Sequence, residues 1–216
     1  MENATGSSRR TRLPRRQLQA AQTRQDILDA ALRLFVERGY THTTVNDVAE
    51  EAGVALQTVY SSVGPKPAIV MALSDVVDEM AGRGELATRA LAETDPRRMI
   101  AWAVHIPMQF TERCGDYLTA LMSAAAVEPD AARALDEGRR RHHEGMRRMA
   151  EKLHASGALA PAVTVESAHA ALSVTTWHAT QFLARESFGW DGPTWERWCV
   201  KLLTDALLGG GEPASL

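Results

Sequence analysis

The sequence has few cysteines, few aromatic residues and no long hydrophobic run. Of its 216 residues, two are cysteines, Cys114 and Cys199, and 6% are aromatic. Two cysteines cannot form the disulfide framework of a small secreted protein, so we expect buried free thiols in a reducing compartment. The absence of about 18 consecutive apolar residues predicts no membrane span. The N-terminus also lacks the apolar core of a signal peptide, which favours a cytoplasmic location.

Motifs that carry catalysis are missing as well. The sequence has no glycine-rich phosphate loop, no nucleophile elbow and no zinc-protease motif. The seven histidines do not have the spacing of a ligand set. His142 and His143 are adjacent and point in different directions on a helix, and the run that contains them, Arg139 to His143, is interpreted as a solvated face. We therefore predict no enzyme activity, no cofactor and no metal, unless a metal site forms by tertiary convergence.

The charge is distributed unevenly along the chain. The formal net charge is −3, but residues 1–70 hold nine Lys and Arg against seven Asp and Glu, and six arginines fall within the first 24 residues. A basic arm of this kind suits phosphate contacts or insertion into a minor groove. The alternative is a solvated tail, which the composition alone favours. Residues 1–20 are expected to be disordered without DNA.

A helix-turn-helix pattern occupies Thr43 to Lys66. Thr44 can cap the first helix, and Asp47, three residues later, can complete a capping box. Gly53 ends that helix because glycine tolerates a left-handed backbone. The second helix has one apolar face and one small polar face, the latter formed by Gln57, Thr58, Ser61 and Ser62. Such a helix can enter the major groove of DNA; an ordinary helical hairpin in a soluble bundle is the alternative.

A preceding helix supplies the core that this hairpin needs. Apolar residues recur at helical spacing between Thr23 and Gly39. Leu34 and Phe35 are predicted to form the centre of a small core, with three residues of the hairpin packed around them: Val48, Val59 and Tyr60.

The run from Thr23 to Val70 resembles the DNA-binding domain of the TetR family of transcriptional regulators. The resemblance implies that Thr44, Tyr60 and Lys66 contact phosphates. It also implies that Leu56, Gln57, Thr58 and Ser61 contact bases or the adjoining backbone; Gln can pair with adenine, and Thr can contact a thymine methyl group. The sequence departs from the family at Val63, where an aromatic residue is usual, and at Ala55, where Ser is frequent, so the recognition helix lacks a side-chain cap.

The rest of the chain is predicted to be helical, which makes the fold all-α. We predict a helix-turn-helix domain at residues 21–68, a helical ligand-binding and dimerisation domain at residues 69–210, and a disordered tail at residues 211–216. Individual predictions are a linking helix over Ile69–Met80, a helix from Pro96 that Pro107 kinks or ends, a break near Gly115, and two closing helices at about 165–188 and 193–208.

The family resemblance further implies an effector pocket and a two-fold dimer. Large aromatic and methionine residues with a few polar groups suit a small apolar or aromatic effector. The candidate lining residues, each of which taken alone is more often ordinary core, are Trp102, His105, Phe110, Met122, Met149, Trp177, His178 and Gln181. The last two helices would pair with those of a second copy, and the dimer would bind a palindromic double-stranded DNA operator.

These expectations describe a ligand-responsive regulator, most commonly a repressor in this family. Ligand binding would move the Ile69–Met80 helix and so change the separation of two recognition helices. The alternative function is an all-α small-molecule carrier or enzyme whose helix-turn-helix is incidental.

Overall fold

The computed structural model describes residues 15–80 and 82–209, with the side chains of residues 75, 76, 78–80 and 83 outside that description. Within these ranges it contains helices and no strand. The all-α prediction is therefore confirmed. The helices are α1 (Arg15–Arg38), α2 (Val45–Glu51), α3 (Leu56–Ser62), α4 (Lys66–Met80), α5 (Arg83–Ala92), α6 (Pro96–Ala125), α7 (Pro129–Ala155), α8 (Val165–Thr175), α9 (His178–Phe188) and α10 (Gly192–Leu208).

The first helix begins earlier than the sequence pattern indicated. It starts at Arg15 rather than near Thr23, so residues 15–20 of the predicted disordered arm are helical. The added residues are Arg, Gln, Leu and Ala, all of high helix propensity, and they extend α1 although they bury almost nothing. Residues 1–14 of that arm and the predicted tail at residues 211–216 lie outside the described residues.

Helix α6 continues through both predicted interruptions. Pro107 lies within it, and so does Gly115. Pro107 cannot donate a backbone hydrogen bond. Buried side chains on both sides of it, Ala103 and Thr111, hold the helix in the core, where tertiary packing outweighs one lost bond. Gly115 faces Phe182 of α9, so it provides a close approach between helices rather than a break.

The predicted helix at residues 165–188 is instead two helices. Helix α8 ends at Thr175, and Trp177 has an extended backbone at φ −67° and ψ 139°. Threonine hydroxyl groups compete for the local carbonyls: Thr176 Oγ1 donates to Leu172 O at 2.7 Å, and Thr180 Oγ1 lies 2.7 Å from Trp177 O. Such side-chain bonds to the backbone offer an alternative to helical pairing, which accounts for the break.

Two apolar clusters form the core. The first joins the helix-turn-helix to α4, to the C-terminal half of α6 and to the start of α7; the second joins the N-terminal half of α6 to α7, α8 and α10. Leu34, Phe35, Val48 and Val59 are buried in the first cluster as predicted. Tyr60 is not, because it is 45% exposed. Its predicted place beside Phe35 is taken by Tyr40, whose ring meets that of Phe35 edge-on at 5.2 Å.

Candidate DNA-binding surface and ligand cavity

The start of α2 is fixed by a reciprocal pair of hydrogen bonds. The Asp47 N–H donates to Thr44 Oγ1 at 3.1 Å, and the Thr44 N–H donates to Asp47 Oδ2 at 2.7 Å. These bonds form the predicted capping box. The Thr44 hydroxyl, and after it the Thr44 N–H, donate to the charged carboxylate of Asp47 and hold its pKa below the usual value. Thr44 remains exposed at this helix terminus.

Helix α3 has one buried residue and an exposed polar side. Val59 is fully buried, whereas Leu56 is 40% exposed. Ala55 provides no side-chain cap, as its sequence predicted. At the other end of the helix, Arg24 Nη1 donates to Ser62 O at 2.6 Å and connects α3 to α1. Ser61 Oγ donates to Thr58 O at 3.2 Å, which leaves its lone pairs free to accept.

The seven residues predicted to contact DNA lie at the start of α2, on α3 and at the start of α4, and we call them the recognition surface. Five are exposed and two are half-buried. Their roles toward DNA stay predictions. The exposed members are Thr44, Leu56, Gln57, Tyr60 and Ser61, and the half-buried members are Thr58 and Lys66.

Lys66 occupies a cluster that sequence reasoning missed. Its Nζ lies 4.1 Å from the centroid of the Tyr40 ring, within range of a cation–π contact. Burial lowers the pKa of Lys66, while the charge of Glu128 acts in the opposite direction. Burial likewise raises the pKa of Tyr40, and Glu128 adds to that increase. No sequence signal connects Lys66, at the start of α4, with Glu128, the N-cap of α7, because the two are far apart in the chain.

A cavity of about 390 Å³ lies between α4, α5, α6, α7 and the α8–α9 junction. Its volume is within the usual range of small-molecule sites. Four of the predicted effector-binding residues line it: Phe110, Met149, Trp177 and His178. Much of the remaining wall is apolar and includes Val77, Ala103, Ile106, Pro107, Leu118, Leu121, Leu135 and Met146.

The other four predicted effector-binding residues lie elsewhere. His105 Nδ1 lies 2.8 Å from Glu196 Oε1 in α10, and the Trp102 ring packs edge-on against His105. Gln181 Nε2 donates to Glu112 Oε1 at 3.1 Å. Met122 is exposed on α6. The three residues on α6, Trp102, His105 and Met122, miss the cavity because α6 packs on two sides, and sequence periodicity could not tell which side borders the empty space.

Polar groups occupy two parts of the cavity wall. Ser74 Oγ of α4 and Tyr117 OH of α6 are 3.3 Å apart. At the α8–α9 junction, His142 Nε2 lies 3.0 Å from Ser173 O. His178 is buried next to this junction, and burial lowers its pKa to about 4.

Helix α7 also contributes charged residues to the wall. These are Glu137, Arg141, Glu144 and Arg148. Arg141 Nε donates to Glu137 Oε1 at 2.8 Å, and hydrogen bonds from Arg140 and Arg141 lower the pKa of Glu137 to about 2. The interpretation of residues 139–143 as a solvated face is therefore wrong for Arg141 and His142. The four charged wall residues of α7 recur at i, i+4, i+7 and i+11, a spacing that places them on one face of the helix and could have indicated that they act together.

An apolar patch remains exposed on the C-terminal helices. It comprises Val174, Leu183, Phe188, Trp198 and Leu202, which are 43–68% exposed. The ring of Trp190 connects two of them, with centroids 5.7 Å from Phe188 and 5.5 Å from Trp198. Exposed patches of large apolar residues commonly mark interaction sites.

None of the described helices is both long enough and apolar enough to cross a membrane.

Comparisons with known proteins identify the N-terminal part of the chain. Residues 27–66 match the family described as bacterial regulatory proteins, tetR family. The HTH-type transcriptional regulator TtgR of Pseudomonas putida is 37% identical over 78 residues, which are 36% of this chain and 37% of TtgR. AcrR of Shigella flexneri, also an HTH-type transcriptional regulator, is 33% identical over 78 residues, 36% of each chain. The match thus spans little more than a third of these relatives.

Solved structures share the fold over most of the chain. NalD of Pseudomonas aeruginosa, described as the secondary repressor of the MexAB-OprM multidrug efflux pump, superimposes with a TM-score of 0.68 at 20% identity and covers 90% of this chain and 100% of its own. A transcriptional regulator of Saccharomonospora viridis, solved in complex with choline, gives a TM-score of 0.70 at 14% identity and covers 87% of this chain and 98% of its own. At these identities the likeness concerns the fold. The helix-turn-helix over residues 45–62 thus lies within the part of the chain that matches the tetR-family model, residues 27–66, and the rest of the likeness is one of fold.

Proposed function

We propose that the protein is a homodimeric repressor that binds a palindromic operator through the recognition surface and releases it when a small apolar or aromatic effector enters the cavity. The observation that carries this proposal is the position of α4. Ser74 and Val77 of α4 form part of the cavity wall, and the same helix begins at Lys66, directly after the recognition helix. A ligand in the cavity would therefore touch the helix that supports the recognition surface.

The chemistry of α3 supports contact with DNA. Gln57 is exposed and can pair with adenine through its amide. Tyr60 presents an exposed hydroxyl group that suits a phosphate oxygen. The recognition surface contains no arginine, so its base contacts come from uncharged side chains. An arginine that pairs with guanine through two hydrogen bonds would have to come from elsewhere in the chain. The relatives TtgR and AcrR are named as transcriptional regulators, which agrees with this role.

The exposed patch on α8, α9 and α10 supports a two-fold dimer. A monomer in water would leave Phe188 and Trp198 unfavourably hydrated, and burial of such side chains gains about 25 cal/mol per Å². An isologous contact would cover the patch on both copies at once. The predicted interface at about 165–188 and 193–208 then includes α8 as well as α9 and α10, because the first of the two predicted helices is broken.

Two contacts connect α4 with α6 beside the cavity and could transmit the effect of a ligand. Ser74 Oγ is 3.3 Å from Tyr117 OH, and Cys114 Sγ lies 3.7 Å from Val77 O. A ligand that favours a different spacing of α4 and α6 shifts the population toward that spacing, in proportion to its differential affinity for the two states. Two linked recognition helices would then no longer match one operator.

The DNA part of the proposal is tested by a gel shift with DNA that flanks the protein's own coding region. We expect a sequence-selective complex whose affinity falls as the salt concentration rises. If no such complex forms, the repressor proposal fails and a carrier or enzyme becomes the better interpretation.

The ligand part is tested by measuring operator affinity with and without a bound cavity ligand. We expect binding of the ligand to weaken operator affinity at least about fivefold, the lower end of usual coupling energies. In Tyr117→Phe the ligand should still bind, but its effect on operator affinity should decrease. Ser123→Ala, on the exposed surface of α6, is the matched control and should behave as wild type. A ligand that binds the wild-type protein without changing operator affinity would refute the coupling.

A further inference from the structure

The junction between α8 and α9 brings the start of an uncapped helix to the cavity wall. Trp177 is the N-cap of α9 and makes no side-chain capping bond. The Thr180 N–H donates to Trp177 O. His178, the first residue of α9, lines the cavity. The first N–H groups of a helix have no intrahelical partner and carry partial positive charge. This terminus therefore offers donors to an oxygen atom of a ligand.

His178 is the second and independent observation at this junction. It is 7% exposed, it lines the cavity, and within the described part of the chain its ring has no hydrogen-bond partner. A buried polar side chain normally has a partner. Because burial lowers its pKa to about 4, the ring is neutral near pH 7 and offers one donor and one acceptor. His142 differs, since its Nε2 already lies within hydrogen-bond distance of Ser173 O.

The charges around the cavity favour an uncharged ligand. Two carboxylates, Glu137 and Glu144, and two guanidinium groups, Arg141 and Arg148, belong to the wall, so the opposite charges balance. A carboxylate placed beside the neutral imidazole would lose much of its hydration, which is costly, and Arg141 of the same wall is already bonded to Glu137. A hydroxyl group can accept from the helix terminus and donate to the acceptor nitrogen of His178 without that cost.

Resting on the proposed ligand-responsive function, we infer that the cavity takes an uncharged amphipathic molecule whose hydroxyl group is bound by His178 and the uncapped N-terminus of α9. The apolar body of the ligand lies against Phe110, Leu118 and Met149, and its head lies beside the Trp177 ring, whose centroid is 4.1 Å from that of His178. His178 is thus a specificity-determining residue for the hydroxyl group.

The test compares three probes of similar shape with the full chain in the absence of DNA: 4-hexylphenol, hexylbenzene and 4-hexylbenzoate. Binding is followed by calorimetry and by quenching of tryptophan fluorescence, to which Trp177 in the cavity wall contributes. We expect 4-hexylphenol to bind about five- to tenfold more tightly than hexylbenzene, the usual gain from one net hydrogen bond. The benzoate should bind most weakly.

The variant His178→Leu separates the head contact from the apolar contacts. It should bind 4-hexylphenol and hexylbenzene with similar affinity. Hexylbenzene binding as tight as in the wild-type protein is the control that the cavity remains intact. His143→Leu, the same substitution on α7 outside the cavity wall, should keep the wild-type preference. Equal binding of phenol and hydrocarbon by the wild-type protein overturns the inference, as does tighter binding of the benzoate or no saturable binding of any probe. None of these results depends on DNA, so the repressor proposal stands or falls separately.

Discussion

The recognition surface and the cavity differ in the sequence distance over which each is assembled. The recognition surface comes from residues 44–66, and its helices start and stop through bonds between residues three or four positions apart. The cavity wall combines residues from position 74 to position 178, contributed by α4, α5, α6, α7 and the α8–α9 junction. The first is a local structure with one exposed face, and the second is a space left between long helices.

The two parts of the molecule nevertheless share one apolar cluster. The first apolar cluster includes Phe35 of α1 together with Tyr117 and Leu121 of α6, and the latter two residues also line the cavity. The recognition surface is therefore not a separate head on a linker. The apolar cluster beneath it continues into the cavity wall, so a change in packing at the cavity can alter the packing beneath the recognition surface.

The largest expected effect tests whether that core is shared. Phe35→Ala in the first cluster and Leu172→Ala in the second should each lower the free energy of unfolding by about 3–5 kcal/mol, as large-to-small core substitutions do. Urea unfolding is followed by circular dichroism and by tryptophan fluorescence. All five tryptophans lie at or after position 102, so fluorescence reports on the C-terminal helices alone.

A shared core requires the two signals to change together in both variants. If circular dichroism of Phe35→Ala instead shows an earlier transition that tryptophan fluorescence does not follow, the helix-turn-helix unfolds by itself. Leu172→Ala is the matched control because it removes a similar volume from the cluster that excludes α1–α3.

Structure that is determined by neighbouring residues could be predicted from the sequence. Thr44, Asp47 and Gly53 specify the ends of α2 through their own side chains or backbone, and the structure has each as predicted. Tyr60 is the exception within this region. Its apolar spacing suggested core packing, but Tyr40 fills that place, because the turn after α1 brings a second aromatic ring to the same site.

The cavity could be predicted only in part. Trp177 and His178 line the cavity as predicted. They do so because the chain breaks between α8 and α9 at this point, and sequence periodicity did not reveal that break. Trp102 and His105 face α10 instead, because the rotation of α6 about its axis depends on helices far away in the sequence. Arg141 was interpreted as solvated for the same reason: charge predicts exposure unless a neighbouring helix leaves a gap.

The next largest effect concerns His178 at the cavity and its dependence on pH. The pKa of its ring is about 4 in the folded protein against an ordinary value of 6.5, so unfolding takes up a proton below pH 6.5. Through His178, the free energy of unfolding therefore does not change with pH above 6.5 and falls as the pH decreases toward 4. The expected loss is about 1–2 kcal/mol after allowance for solvent screening.

The measurement is urea unfolding of wild type and His178→Leu at pH 7 and at pH 5. Other groups titrate in both proteins, so the difference between the two isolates His178. A variant that loses as much stability as wild type between these pH values would show that the buried ring does not remain neutral.

A smaller effect is expected at the recognition surface. Tyr60→Phe removes one exposed hydroxyl group, and if that group binds a phosphate, DNA affinity should fall about fivefold on operator and non-operator sequences alike. Gln57→Ala is the contrasting variant, since loss of a base contact should reduce the preference for one sequence over another. Both are measured by fluorescence anisotropy at fixed salt. An altered base preference in Tyr60→Phe would assign its hydroxyl to a base instead.

The smallest effect compares the two short helices of the recognition surface with each other. Helix α2 has a complete capping box, whereas α3 begins at Ala55 with no side-chain cap. Asp47→Ala should therefore lower the stability, and Ala55→Ser should raise it by about 0.5–1 kcal/mol, because serine can accept a bond from an N–H near the start of α3. Ala55 has the extended backbone, at φ −68° and ψ 145°, that a capping residue requires. Thermal unfolding at pH 7 measures both changes. If Ala55→Ser gains nothing, the start of α3 is already held by tertiary contacts such as the burial of Val59, and local capping governs α2 alone.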